Sequence, residues 1–156
     1  DMFNLHYDDA AFNILWAEGA IFIIGFEKGL TEWKRLLQPN GVVVVSELSW
    51  LKPDPPQEAL DFWGAAYPPM QNVQDNMDVA ERCGYSVEAH FTLPEAGWYE
   101  DYYLPMEQKI ETLRGKYSGD ATTLKQLDDA MLEIEIYKKH SAYYGYEFYI
   151  LRLAEE

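Results

Sequence analysis

Cysteine, histidine and basic residues are scarce in this chain, and each shortage removes a class of function. The single cysteine, Cys83, leaves no internal disulfide to form. Without a C-x-x-C pair or a Cys/His cluster there is also no signature of structural zinc, so a reducing, cytoplasmic setting is expected. His6, His90 and His140 fall in three separate predicted elements, and their spacing does not resemble a metal site. Only 12 Lys and Arg stand against 27 Asp and Glu, a formal net charge of -15. The average field of such a surface repels nucleic acid and anionic lipid, so neither is expected as a partner. Long apolar runs are missing as well. The longest near the start, Ala20 to Phe26, is too short to span a bilayer, and Asp1 to Asp9 lacks the basic region of a signal peptide, so a soluble protein is expected. No G-x-S-x-G elbow is present, and Cys83 lies at a predicted helix end, where packing is its expected role.

What is present is a chain of 156 residues, the size of a single domain over 1–156, with nearly half its residues apolar. Phe12 to Ala17 and Val42 to Leu48 are short apolar runs without clean alternation, the pattern of strands covered on both faces of a parallel sheet. Between them Leu30, Trp33, Leu36 and Leu37 share a helical face, with Pro39, Asn40 and Gly41 as the expected stop. This reads as a βαβ unit with parallel strands. Pro55 or Pro56 opens a helix through Tyr67 whose apolar stripe is Leu60, Trp63 and Tyr67, and Pro68 and Pro69 close it. Val73, Met77 and Ala80 mark another helix, capped near Gly84. Tyr85 to Leu93 alternates as an outer strand with one covered face. From Pro94 to Tyr144 the chain reads as helical, a lid or insertion broken at Lys116 to Ala121, where Ser118 or Asp120 caps a long helix carrying Leu124, Leu127, Met131 and Ile134. Tyr146 to Leu153 is a last strand, followed by a short acidic tail.

Asp1 to Ile21, DMFNLHYDDAAFNILWAEGAI, followed by a helix and NGVVVVSELSW, resembles a stretch of the class I S-adenosylmethionine-dependent methyltransferases usually written D-M-x-x-L-P-F-x-D-x-x-F-D-x-I-W-x-E-G. The resemblance extends over nearly the whole chain, to about Leu153, with well-spaced motif positions in the first fifty residues. It implies an α/β fold: the C-terminal half of a Rossmann-like methyltransferase sheet, strand order 4-5-7-6, last strand antiparallel, with a helical insertion. It implies S-adenosylmethionine as cofactor. Asp1 matches the acid that accepts a hydrogen bond from the adenine amino group, and Met2 the neighbour whose amide meets the ring; the alternative for Asp1 is a mobile terminal residue. Ala17, Glu18 and Gly19 fall at the C-terminal end of a parallel strand, where open α/β sheets place ligands. The resemblance implies that Ala17 and Gly19 face the cofactor there, and that Glu18 orients an acceptor amine or hydroxyl or acts as general base, the alternative being a helix-capping or solvated carboxylate. Glu47 and Trp50 end the next strand and carry the same pair of readings.

Asn13 stands where the family has Asp, His6 where it has Pro, and no glycine-rich loop follows a strand, Gly115 to Gly119 coming after a helix instead. The cofactor side is thus expected to be incomplete, and the isolated chain to bind cofactor poorly. The aromatic residues Trp98, Tyr99, Tyr102, Tyr103, Tyr137, Tyr143, Tyr144 and Tyr146 are either core or, for Trp98, Tyr99 and Tyr144 together with Trp50, the lining of a substrate pocket able to hold a cationic or polar acceptor. The strand Phe12 to Ala17 is expected at an open edge needing cover, from the rest of a longer protein of which this is a fragment, from a second copy, or from an N-terminal partner chain. Three functions compete: methyl transfer to a small-molecule acceptor, a non-catalytic methyltransferase-like module that dimerises or docks, and a fragment of a nucleotide-binding oxidoreductase, which explains the W-A-E-G-A and S-E-L-S-W segments least well.

Overall fold

The computed structural model of the chain describes residues 1–154; the acidic end at Glu155 and Glu156 lies outside them. The first strand, β1 (Phe12–Ala17), passes through helix α1 (Phe26–Trp33) to β2 (Leu37–Trp50), which runs parallel to β1 with Ile14 opposite Val42 and Ala17 opposite Val45. This is the expected βαβ unit, but its boundary differs. The helix ends at Trp33, a short 3-10 turn covers Lys34–Leu36, and β2 starts before the Pro-Asn-Gly stop. Leu36 and Leu37 are both buried, but Leu37 is already extended, at φ -84° and ψ 139°, and opens the strand opposite Phe12. Pro39, Asn40 and Gly41 then form an irregularity in the strand pairing: Phe12 faces Leu37 but Ile14 faces Val42, with Asn40 at φ 62°. Gly41 is required there, since a Cβ would lie 2.8 Å from the Gln38 carbonyl oxygen.

Helix α2 (Gln57–Ala66) starts after Pro56 as expected, but Leu60 is 37% exposed and the buried stripe is Ala59 and Trp63. A two-residue strand, β3 (Gln71–Asn72), pairs with Ser49 and Trp50. Asn72 then caps α3 (Val73–Arg82), its Oδ1 accepting the Asp75 N–H at 2.8 Å. After β4 (Tyr85–Thr92), α4 (Glu95–Trp98) continues through a π-helical stretch, Tyr99–Tyr103, into α5 (Leu104–Lys116). Of the two candidate caps for α6 (Ala121–His140), Asp120 serves, accepting the N–H groups of Thr122 and Thr123 at 3.0 and 3.2 Å. The last strand is β5 (Tyr144–Leu153).

The sheet order is β1-β2-β5-β4, with β3 attached beside β2, and β5 is antiparallel to both its neighbours. This is the expected mixed, open α/β sheet with β4 at its edge. The alternation read in β4 breaks at a bulge between Val87 and Ala89. As a result Phe91 is not covered: it is 49% exposed and stacked on Phe148 at 5.0 Å. One face of the sheet packs Val43, Val45, Tyr149 and Leu151 against Leu30 and Trp33 of α1 and Val79 and Ala80 of α3. The other sets Leu48 and Tyr144 against Trp63, Trp98, Tyr103, Ile110, Ile134 and Tyr137. Among the described residues the far edge of β1 has no partner strand, and Ile14 and Trp16 are 59% and 65% exposed. No helix among the described residues is long and apolar enough to cross a membrane.

Candidate functional site

Two cavities open around the C-terminal ends of the parallel strands. The larger, about 540 Å³, lies on the aromatic side and is lined by Gly19 after β1, Leu48 of β2, Trp63 and Tyr67 from α2 and the turn after it, Trp98 and Tyr102, Glu133 of α6 and Tyr146 of β5, with Phe22 at one wall. The smaller, about 400 Å³, lies on the other side, where Glu47 meets Tyr67, Asn76 of α3 and the start of α1 at Gly25 and Phe26. Tyr67 lines both. The strand ends are held together by the Gly19 N–H, which donates to Ser46 Oγ at 2.8 Å across β1 and β2.

Glu47 is the unusual group. Its side chain is 2% exposed; Oε1 accepts the Tyr67 hydroxyl at 2.6 Å, and Oε2 has no hydrogen-bond partner among the described residues. Burial pushes its carboxyl from 4.5 up to about 7, the Tyr67 hydrogen bond pulling the other way. The Tyr67 hydroxyl is raised in turn, first by burial and then by Glu47, and so stays protonated and donating. A second buried carboxylate, Glu147, stands directly opposite Glu47 across β2 and β5, but is fully engaged by His90 Nδ1 and Thr92 Oγ1, each at 2.6 Å. Below them Ser49, Asn76 and Tyr149 form a closed buried network, with contacts of 3.0 to 3.2 Å.

Of the residues singled out in the sequence, Gly19 and Trp98 line the larger cavity and Glu47 the smaller. Trp98 sits among rings, its centroid 4.8 Å from both Tyr137 and Tyr146 and 5.7 Å from Tyr103. Tyr144 is fully buried and meets Trp50 edge-on at 6.1 Å, so both pack beneath the cavity floor, outside its lining. Tyr99 lies against the same cluster with Lys138 over its ring at 5.6 Å. Glu18 is exposed and accepts the Trp16 indole N–H at 2.6 Å. Ala17 and Met2 pack against the aliphatic core, Met2 lining a separate cavity of about 480 Å³ with Phe3, Trp33 and Arg35 that shares no residue with the other two, and exposed Asp1 accepts the Phe3 amide at 3.0 Å. Several lining residues escaped the sequence reading as site residues, Tyr67 and Glu133 among them. The signal for Glu133 was its helical position: it shares the face of Ala130 and Tyr137, three residues before it and four after, both of which pack into the aromatic core.

No family model and no curated protein matches the sequence. Solved structures do match in three dimensions. A SAM-dependent methyltransferase from Geobacter sulfurreducens, crystallised with S-adenosyl-L-homocysteine, superposes with a TM-score of 0.70 at 17% identity, over 94% of this chain and 62% of that one. YjhP from E. coli gives 0.72 at 16% identity, over 97% of this chain and 64% of that one. The [4+2]-cyclase SpnF gives 0.69 at 18% identity, over 100% of this chain and 54% of that one. The chain thus spans about half to two-thirds of the length of these proteins. At such identities the likeness speaks to architecture, and the chain carries part of the Rossmann-like class I methyltransferase fold.

Proposed function

We propose that the chain is the acceptor-side portion of an S-adenosylmethionine-dependent methyltransferase acting on a small molecule. The observation that carries this reading is the position of Gly19: it ends a parallel strand, where open α/β sheets take ligands, and opens directly on the larger cavity. The residues present fit one end of the cofactor. Gly19 has φ +52°, and a Cβ built on it would point toward the Tyr146 hydroxyl at 3.9 Å, so a side chain there would occupy the space a ligand needs. Ala17 supports this turn from within the core, and Asp1, an exposed acceptor, with Met2 beside it, suits a purine amino group. S-adenosylmethionine, when bound, supplies an electrophilic methyl group on a sulfonium.

The chain's own residues position the acceptor and manage its proton. Trp98 packs one wall of the cavity, with Tyr99, Trp50 and Tyr144 buttressing it from behind. Glu47, titrating near neutrality, takes a proton relayed through the Tyr67 hydroxyl, whose ring forms part of the cavity wall. Glu18, at the rim, orients an acceptor amine or hydroxyl. The decisive experiment is an NMR titration with S-adenosylhomocysteine: saturable shifts at the Ala17, Gly19 and Met2 amides, at millimolar ligand or below, are expected, together with their loss in Gly19→Val. Shifts scattered over the surface, or none, would sink the reading.

A second reading, a docking or dimerising module, rests on the uncovered β1 edge with Ile14 and Trp16 exposed. A second copy or an N-terminal partner chain along Phe12 to Ala17 would cover it, in a cytoplasmic protein.

A further inference from the structure

The larger cavity has an electrostatic character that its aromatic walls conceal. Among the named lining residues there is no Lys, Arg or His, and the only carboxylate is Glu133. One of its oxygens accepts the hydroxyl of buried Tyr103 at 2.7 Å, and among the described residues it forms no ion pair. The three lysines of α6 are engaged elsewhere: Lys138 with Glu107 at 2.7 Å, Lys139 with Glu58 at 2.8 Å, and Lys125 with Asp129 at 3.1 Å. The tyrosines around it add no charge of either sign, since burial raises both Tyr102 and Tyr146, the latter to about 12, and keeps them protonated. A half-buried carboxylate facing an aromatic-walled space without a counter-charge is an arrangement that a cation completes.

We infer that this cavity binds the positively charged nitrogen of a small amine, with Glu133 as its counter-ion and the faces of Trp63, Trp98, Tyr102 and Tyr146 as its cage. A ring face attracts a cation through its quadrupole, and the attraction grows as water is excluded. The same walls offer nothing to a phosphate or carboxylate, which Glu133 repels. That the amine is the methyl acceptor rests on the proposed function above; that the cavity prefers cations does not.

The test uses tetramethylammonium and the uncharged, similarly sized neopentyl alcohol, each titrated into the protein while the tryptophan fluorescence and the indole NMR signals of Trp63 and Trp98 are followed. Tetramethylammonium should bind at least about tenfold more tightly than the alcohol. Glu133→Gln keeps a carbonyl for the Tyr103 hydroxyl and removes the charge, and should reduce that preference to about threefold or less. Glu133→Asp should retain most of it, and Glu107→Gln, outside the cavity, should change nothing. Equal binding of the two probes to the unaltered protein, or no binding of either, overturns the inference without recourse to any variant. Binding of tetramethylammonium without any response to S-adenosylhomocysteine would leave the inference standing and remove the methyltransferase reading. Cofactor binding without cation preference would do the reverse.

Discussion

The two faces of the sheet are built on different principles. Under α1 and α3 the core is mainly aliphatic and continuous, with Ile21, Leu30, Val43, Val45 and Leu151 all fully buried. On the opposite face the upper half is a cluster of rings around Trp98, and the lower half carries Ile14, Trp16 and Phe91 in the open. Branched aliphatic side chains close a surface by interdigitating, whereas rings meeting at edge and tilted angles leave gaps between them. The larger cavity opens on the face built from rings, and the mainly aliphatic face carries the smaller one at Glu47.

The largest effect should come from truncating one residue on each side. Trp98→Ala should cost about 3–5 kcal/mol in urea unfolding and Leu30→Ala about 2–5. Only the former should also alter ligand-induced fluorescence, and a Leu30→Ala protein with an equally altered ligand response would erase the distinction between the faces.

Next comes Glu47, which sits where the two cavities approach each other at Tyr67. Its carboxyl rises from 4.5 to about 7 on folding, so the folded chain holds a proton there that the unfolded chain releases. This group is thus most favourable to folding below its unfolded value. Its contribution falls as pH rises toward 7 and levels off above, a total of up to about 3 kcal/mol. Glu47→Gln stays uncharged at every pH, so the stability of the variant relative to the native chain should rise in its favour between pH 5 and pH 8. A difference that stays constant across that range would place the Glu47 carboxyl in a solvated setting.

The smallest effect on folding should come from the bare lower half. Replacing Ile14 and Trp16 together by serine should change stability by no more than about 1 kcal/mol, since both are already exposed. If this face is an interface, the same double variant should lower the sedimentation coefficient at high concentration; an unchanged coefficient, with the native chain monomeric, would retire the second copy as the cover for this edge.

The elements of this fold were legible wherever local pattern and tertiary packing agree. Phe12 to Ala17 has the same limits in both readings, and the order of the long strands follows the expected one. Boundaries moved where packing overrode a local stop: Leu37 opens β2 by pairing with Phe12, and the Pro-Asn-Gly stop became a strand irregularity. Phe91 was misassigned to a covered face because a bulge, which leaves no mark in an alternating pattern, shifted the pairing by one residue. At the site, Gly19 and Glu47 could be read from strand ends, and Trp98 from composition. Tyr67 could not, because its role depends on a turn that carries its hydroxyl back 20 residues to Glu47. Glu133 was not singled out, because a carboxylate in an acidic helix carries no local sign that its neighbours on the face, Ala130 and Tyr137, pack into the core.

The π-helical stretch between α4 and α5 fixes how two ends of one rod are clocked against each other. A π-turn adds a residue to the α-helical count, which changes the phase of everything before it by about 100°. Fully buried Tyr103 and half-exposed Tyr102 lie inside that stretch, one turned to the core and the other to the cavity, while Trp98 just before it faces both. Deleting a single residue between Tyr99 and Tyr103 would leave the composition of the aromatic wall almost unchanged and yet swing Trp98 away from the sheet. The binding wall is in this sense a matter of winding number, held by one additional residue in a helix that otherwise reads as regular.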